Sequence, residues 1–151
     1  MASIRSGIGE NMENRYLFKA KRVDNGEWAV GYYGVIGERS VIIEKYAENY
    51  YCPDTCGSRH GNQIHEVNSK TICQCTGLKD KNGKLIWEND IVKGHRINFG
   101  SHRHIGKVKY INGRYEIIGV KQYAGFSDAL SLSYEVLGNI FDNPELLESE
   151  E

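Results

Sequence analysis

Apolar and polar positions along this chain alternate in short runs separated by turn formers, the period of half-buried β-strands. The most strongly patterned stretch runs from Thr76 to Val92, TGLKDKNGKLIWENDIV. Within it, Asp80-Lys81-Asn82-Gly83 predicts a hairpin in which Asn82 and Gly83 supply the two positive-φ positions of a type I′ turn. Leu85-Ile86-Trp87 and Asp90-Ile91-Val92 then read as strands returning to a core. Upstream, Tyr16 to Val23 and Trp28 to Ile36 read as strands around the turn Asp24-Asn25-Gly26. Gly31 and Gly34 predict a bend, a bulge or a close backbone approach in the second of them. Ser40 to Glu44 and Gln63 to Val67 are two further short strands. Between them, Cys52 to Asn62 consists almost entirely of turn formers and predicts a long loop.

Downstream of Val92, Gly94 to Arg103 carries little pattern. Ile105 to Ile111 and Arg114 to Val120 flank Asn112-Gly113 as a second Asn-Gly hairpin. Phe126 to Ser133 reads as one or two helical turns with Ser127 or Asp128 as N-cap. Tyr134 to Phe141 closes the β part, and Pro144 opens a terminal helical turn. The expected core is Leu78, Ile86, Ile91, Val92, Val108, Val136, Leu137 and Ile140. Trp28, Trp87, Tyr32 and Tyr33 are expected as core or barrel-mouth aromatics. Residues 1–12 form a leader, with Met12 a candidate natural start. Residues 13–147 form one domain, and 148–151 an acidic tail; five of the last ten residues are acidic.

Composition sharpens this picture in two ways. Ten Tyr and 17 Gly against 2 Pro favour β structure, and 151 residues suffice for one hydrophobic core. The net charge of −1 excludes a global electrostatic drive toward nucleic acid or membrane. No run approaches the roughly 18 apolar residues of a membrane span, and the first residues have no apolar signal core, so a cytoplasmic location is expected.

Three segments taken in order carry a family likeness: Cys75-Thr76-Gly77-Leu78-Lys79-Asp80-Lys81-Asn82-Gly83-Lys84, then Trp87-Glu88-Asn89-Asp90-Ile91-Val92, then Glu135-Val136-Leu137-Gly138-Asn139-Ile140-Phe141-Asp142-Asn143-Pro144-Glu145-Leu146. Together with Tyr16-Leu17-Phe18-Lys19-Ala20 and Gly26-Glu27-Trp28-Ala29-Val30-Gly31-Tyr32, they resemble the YopX family of small bacteriophage and prophage proteins. The likeness covers most of residues 14–147. It implies a mainly β, SH3-like barrel or roll with hairpins and short helical turns near the C-terminus, a phage origin within a bacterial host, and no particular reaction. The family tends to carry an aromatic residue at the position of Cys75 and no cysteine at that of Cys73, so the cysteines belong to this branch.

Two clusters bear candidate chemistry. Cys52, Cys56, Cys73 and Cys75, with His60 and His65 between the pairs, are candidate zinc ligands. Their CxxxC and CxC spacings are not those of paired CxxC knuckles, and the plainer reading is reduced cysteines packed as small hydrophobes. Between Asp90 and Glu116 no acidic residue occurs. Arg96, Arg103, Lys107, Lys109 and Arg114 in that window are candidate phosphate contacts, interleaved with Phe99, Tyr110 and Tyr115. Alternation sets Lys107 and Lys109 outside and Val108 inside. The plainer reading is a solvated basic face. His102-Arg103-His104 with Asp90 or Glu88 reads as a general acid–base set, yet no nucleophile elbow, HExxH helix, P-loop or dinucleotide fingerprint accompanies it. Asp90 has a simpler role, accepting backbone N–H groups at a strand entrance.

The leading expectation is a non-catalytic accessory protein that binds a host or phage macromolecule, without a cofactor and with self-association through a strand edge open to it. The alternatives are a nucleic-acid binder using residues 91–115 and a metal-dependent enzyme using the cysteine–histidine loop.

Overall fold

The computed structural model describes residues 14–44, 63–96 and 103–148. The leader, the Cys52 to Asn62 loop and most of the acidic tail lie outside the described residues. The chain divides into two compact units, Tyr16–Ile72 and a second running from Cys73 onward. The described elements are eleven strands and three short 3-10 turns, so the chain is mainly β. Among the described residues no helix is long and apolar enough to cross a membrane.

The first unit is an antiparallel meander of β1 (Phe18–Lys21), β2 (Trp28–Ile36), β3 (Arg39–Ile43) and β4 (Ile64–Glu66), in spatial order β4-β3-β2-β1. Ala20, Ala29, Ile42 and Val67 form its buried cluster, with Phe18 and Ile72 packed against it. Two alanines among four residues make this a shallow core, because each contributes far less buried apolar area than a Leu or Phe. Gly31 is the close approach foreseen in β2: a Cβ there would stand 2.1 Å from the Ile43 carbonyl oxygen.

The second unit starts with the hairpin of β5 (Cys73–Lys79) and β6 (Leu85–Trp87). It continues into β7 (Asp90–Arg96), β8 (Arg103–Ile111), β9 (Arg114–Gly119), β10 (Ser127–Ala129) and β11 (Glu135–Asn139). The last five pair in the order β10-β9-β8-β7-β11. Ile86, Val92, Val108, Ile117 and Tyr134 form the core, flanked by Leu78, Tyr115, Leu130 and Val136. Burying each such Val, Ile or aromatic side chain contributes about 1.5–3 kcal/mol.

Four expectations change. The sheets are open, with β10 and β11 at the margins of the five-stranded ladder, so the barrel does not close. Residues expected to begin a helical turn after Phe126 instead form β10, because Ser127, Asp128 and Ala129 pair with Ile118, Ile117 and Glu116. Tertiary pairing outweighs a local capping signal there. Leu137 falls in the bulge between Val136, opposite Val92, and Gly138, opposite Ile91. The extra residue turns its side chain out, and Leu137 is 40% exposed.

The fourth change concerns the two Asn-Gly turns. Asn112 and Gly113 both have positive φ, 52° and 84°, and Ile111 faces Arg114 across them, as a two-residue type I′ hairpin requires. In the first hairpin only Gly83 has positive φ, 83°, and its N–H donates to Asp80 O at 3.0 Å. Lys79 pairs with Leu85, so five residues form a type I turn completed by a glycine bulge. Asp80 selects this longer turn. Its Oδ1 accepts the backbone N–H of Asn82 (2.8 Å) and of Lys84 (2.9 Å).

Candidate functional site

Each cluster singled out in the sequence occupies a definite place on this frame. In the basic window, Arg96 stands opposite Arg103 in the β7–β8 ladder, although a register shift separates that pair from Lys93 opposite Ile105. Lys107 and Lys109 alternate with buried Val108 along β8, as expected, but both are half-buried rather than fully outside. Lys109 Nζ donates to Asn89 Oδ1 at 2.6 Å, and Arg114 Nε lies 2.7 Å from Glu116 Oε1. Two of the five cations are thus already engaged within the chain, and the window is less open to phosphate than its composition implied.

Asn89 is a junction that sequence reasoning missed. It is buried at φ 68°, and its N–H donates to Val108 O (2.9 Å) while its own carbonyl accepts Ile140 N–H (3.0 Å). Its side chain joins Lys109 to Cys73, with Asn89 Nδ2 3.5 Å from Cys73 Sγ. The usable signal was Asn itself, the non-glycine residue that best tolerates left-handed backbone. Next to it, buried Asp90 accepts Trp87 N–H at 2.9 Å, the anchoring role expected of it.

Cys73 and Cys75 are buried on β5, and Cys75 Sγ approaches Ile86 O at 4.0 Å. Cys52, Cys56 and His60 lie outside the described residues. Among the described residues no three His, Cys, Asp or Glu side chains converge as metal ligands. His65 sits on β4 with its Nε2 3.1 Å from Glu44 Oε1.

His104 pairs with neither Asp90 nor Glu88, the two carboxylates considered for a general acid–base set. It is 4% exposed, and Nδ1 lies 3.3 Å from Tyr134 Oη, which in turn donates to Asp128 Oδ2 at 2.7 Å. Because the phenol hydrogen goes to Asp128, Nδ1 carries the hydrogen of the first link and Nε2 keeps a lone pair. That Nε2 has no hydrogen-bond partner among the described residues. Burial pulls the His104 pKa below its ordinary value, while the Asp128 charge opposes. Burial, the hydrogen bond to Asp128 and its charge all push Tyr134 up. The result is a neutral imidazole in a closed chain of hydrogen bonds. Asp128 and Tyr134 escaped sequence reading because the first lay in the supposed helical turn and no spacing rule links them to His104.

The remaining feature is a face of the first unit. Residues directly opposite in an antiparallel ladder share a face, and Tyr32, Ile43 and Ile64 form one row across β2, β3 and β4. Val30 and Ile36 extend it along β2. Val30 is 43% exposed, Tyr32 42%, Ile36 56% and Ile64 52%. Val41, on the same face, is buried beside Gly34. At the β1 margin, Lys19 opposes Val30 and Lys21 opposes Trp28. Both ammonium groups lie over the Trp28 ring, at 4.9 and 5.4 Å from its centroid. Of the four aromatics expected in the core or at a barrel mouth, Trp87 is buried, whereas Tyr32 and, on the opposite face of β2, Tyr33 are exposed.

The chain is similar to protein EF1440 from Enterococcus faecalis, a crystal structure, with 27% identity over 87% of this chain and 96% of that one and a TM-score of 0.43. A search of curated proteins yields no match. The family model described as YopX protein matches residues 31–148, from within β2 to beyond the last 3-10 turn. That span takes in both Asn-Gly hairpins, the Asn89 junction and the Asp80 turn, and the chain belongs to the YopX family.

Proposed function

We propose that this chain is a non-catalytic binding module of a phage or prophage, acting in the cytoplasm of a bacterial host. Its partner is a macromolecule that seats on the Tyr32–Ile43–Ile64 face of the first unit. The exposed apolar row carries this reading. Contiguous apolar surface in contact with water is costly, and patches of this kind mark docking surfaces. The phage origin rests on the family likeness.

Two observations favour this over the alternatives. Lys109 and Arg114 of the basic window are already bonded within the chain, which reduces its capacity for phosphate. His104, which is linked to the Asp128 carboxylate through Tyr134, is buried, where no substrate reaches its Nε2 without rearrangement.

Site-specific photocrosslinking tests the reading. A benzoylphenylalanine placed at Tyr32 in the full chain, expressed in its bacterial host, should give one dominant macromolecular adduct. The same group at Asn112, on a hairpin tip of the other unit, should not. Adducts from Asn112 alone, or turnover of a small metabolite by the purified chain, would overturn the proposal.

A further inference from the structure

Three Asn-Gly pairs occur in the chain, Asn25-Gly26, Asn82-Gly83 and Asn112-Gly113, and in each the glycine has positive φ. We infer that Asn112 is a site of spontaneous covalent modification, converting through a cyclic imide to aspartate and isoaspartate, while the turns at Asn25 and Asn82 protect those residues. In this step the main-chain nitrogen of the following glycine attacks the Asn Cγ. The new N–Cγ bond replaces the Cγ–Nδ2 bond, and ammonia leaves with the glycine's amide hydrogen. Water then opens the imide at either carbonyl. Glycine permits the closure because it sets no side chain against the approaching carboxamide.

Closure needs a glycine N–H released from its acceptor and a carboxamide able to swing back over it. Gly26 N–H donates to Arg22 O at 3.0 Å. The Asn25 carboxamide is held at both ends: Oδ1 accepts Glu27 N–H at 3.0 Å, an Asx turn, and Nδ2 donates to Glu27 Oε2 at 3.1 Å. Gly83 N–H donates to Asp80 O at 3.0 Å, and Asn82 is fixed through its own N–H to Asp80 Oδ1 and through Nδ2 to Glu135 Oε1 at 3.4 Å. At the third pair neither the Asn112 carboxamide nor Gly113 N–H has a hydrogen-bond partner among the described residues. The turn type is the reason, because a two-residue loop is closed through Ile111 and Arg114 and leaves the N–H of Gly113 to solvent. The backbone of Asn112, at φ 52°, must rotate for the attack. Both tip residues are exposed, and hairpin tips open locally at little cost.

The products alter the hairpin. Either one adds a negative charge two residues from Arg114, whose Nε now donates to Glu116 Oε1 at 2.7 Å. Isoaspartate also adds a main-chain carbon, which a two-residue loop cannot absorb without disturbing the pairing of Ile111 with Arg114.

Incubating the folded full chain at mildly alkaline pH, then mapping peptides by mass spectrometry with fragmentation that separates aspartate from isoaspartate, tests this. Asn112 should convert about tenfold faster than Asn25 and Asn82, the scale of the hydrogen bonds that must break at those two turns. In concentrated urea, where the turns are lost, the three rates should draw together. An Asn112 that keeps its amide while the urea-treated chain reacts, or an Asn25 or Asn82 that converts as fast as Asn112 in the folded chain, would overturn the inference. So would an unchanged tenfold ranking in urea, since sequence neighbours alone would then explain it.

Discussion

Asp80 and Val136, 56 positions apart in the chain, are joined by a hydrogen bond in which the Val136 N–H donates to Asp80 Oδ2 at 3.0 Å. Since Oδ1 of the same carboxylate organises the β5–β6 turn, one buried side chain both shapes a hairpin and fastens it to β11. Lys81 N–H adds a second link to Tyr134 O at 3.0 Å. The turn motif and the C-terminal motif of the family are thus two halves of one contact.

Removing that carboxylate should be expensive. Burial pushes the Asp80 pKa up, but the N–H groups of Val136, Lys84 and Asn82 and the Lys84 charge outweigh it, so the carboxyl titrates below its ordinary value. A depressed carboxylate contributes stability that is present above the unfolded pKa, near 3.8, and is lost as pH falls through the lower folded one. Asp80→Ala is expected to lose about 2–3 kcal/mol in urea unfolding at pH 7, the scale of charge-assisted bonds to a buried acceptor. The gap to the parent should narrow below pH 3.8; a gap independent of pH would exclude the ionic role.

His104 gives the opposite residue type with the same sign. Its pKa is lowered by burial, so the neutral form is the one the fold accommodates. Stability from this group is complete above the unfolded value of 6.5 and declines as pH falls below it. Thermal unfolding midpoints should drop between pH 7 and pH 5 in the parent, and less so in His104→Gln. An imidazole NMR titration of the folded chain should have its midpoint below 6.5, and a midpoint above that would contradict the buried relay.

Asn89 tests backbone and side chain separately. Asn89→Gly keeps the left-handed backbone but drops the bonds to Lys109 and Cys73, a loss of about 1–2 kcal/mol. Asn89→Ala adds the left-handed penalty of roughly 1 kcal/mol and should be the less stable of the two. Chemical denaturation of the pair settles the order, and equal stabilities would show that the backbone carries no strain there.

The two lysines of β8 should part company. Lys107→Glu is expected to change stability by less than about 0.5 kcal/mol, as for a surface substitution away from special contacts. Lys109→Glu loses the donor to Asn89 and sets a second carboxylate opposite Glu116, with an expected cost of about 1–2 kcal/mol. If both variants unfold with the parent, the Lys109–Asn89 bond contributes nothing measurable. Salt-dependent gel shifts on Lys107→Glu separately probe the phosphate reading, which requires a weaker salt slope than the parent's.

Period-two alternation by itself determined the strands, because a half-buried sheet imposes that pattern on each residue regardless of its partners. The Asn112-Gly113 turn followed in the same way, since two consecutive residues of low left-handed cost leave a short hairpin few other shapes. The family motifs were equally legible, being contiguous. Tertiary structure decided whatever depends on residues distant in the chain. Asp80 converted the first Asn-Gly turn into a bulged one, and pairing with β9 drew Ser127–Ala129 into a strand against a local helix signal. A bulge opposite Val92 and Ile91 put Leu137 outside. The His104–Tyr134–Asp128 relay and the Tyr32–Ile43–Ile64 row exist only through strand register. Register is a property of two segments at once, so a pattern read one strand at a time finds the members of such a site but not their meeting.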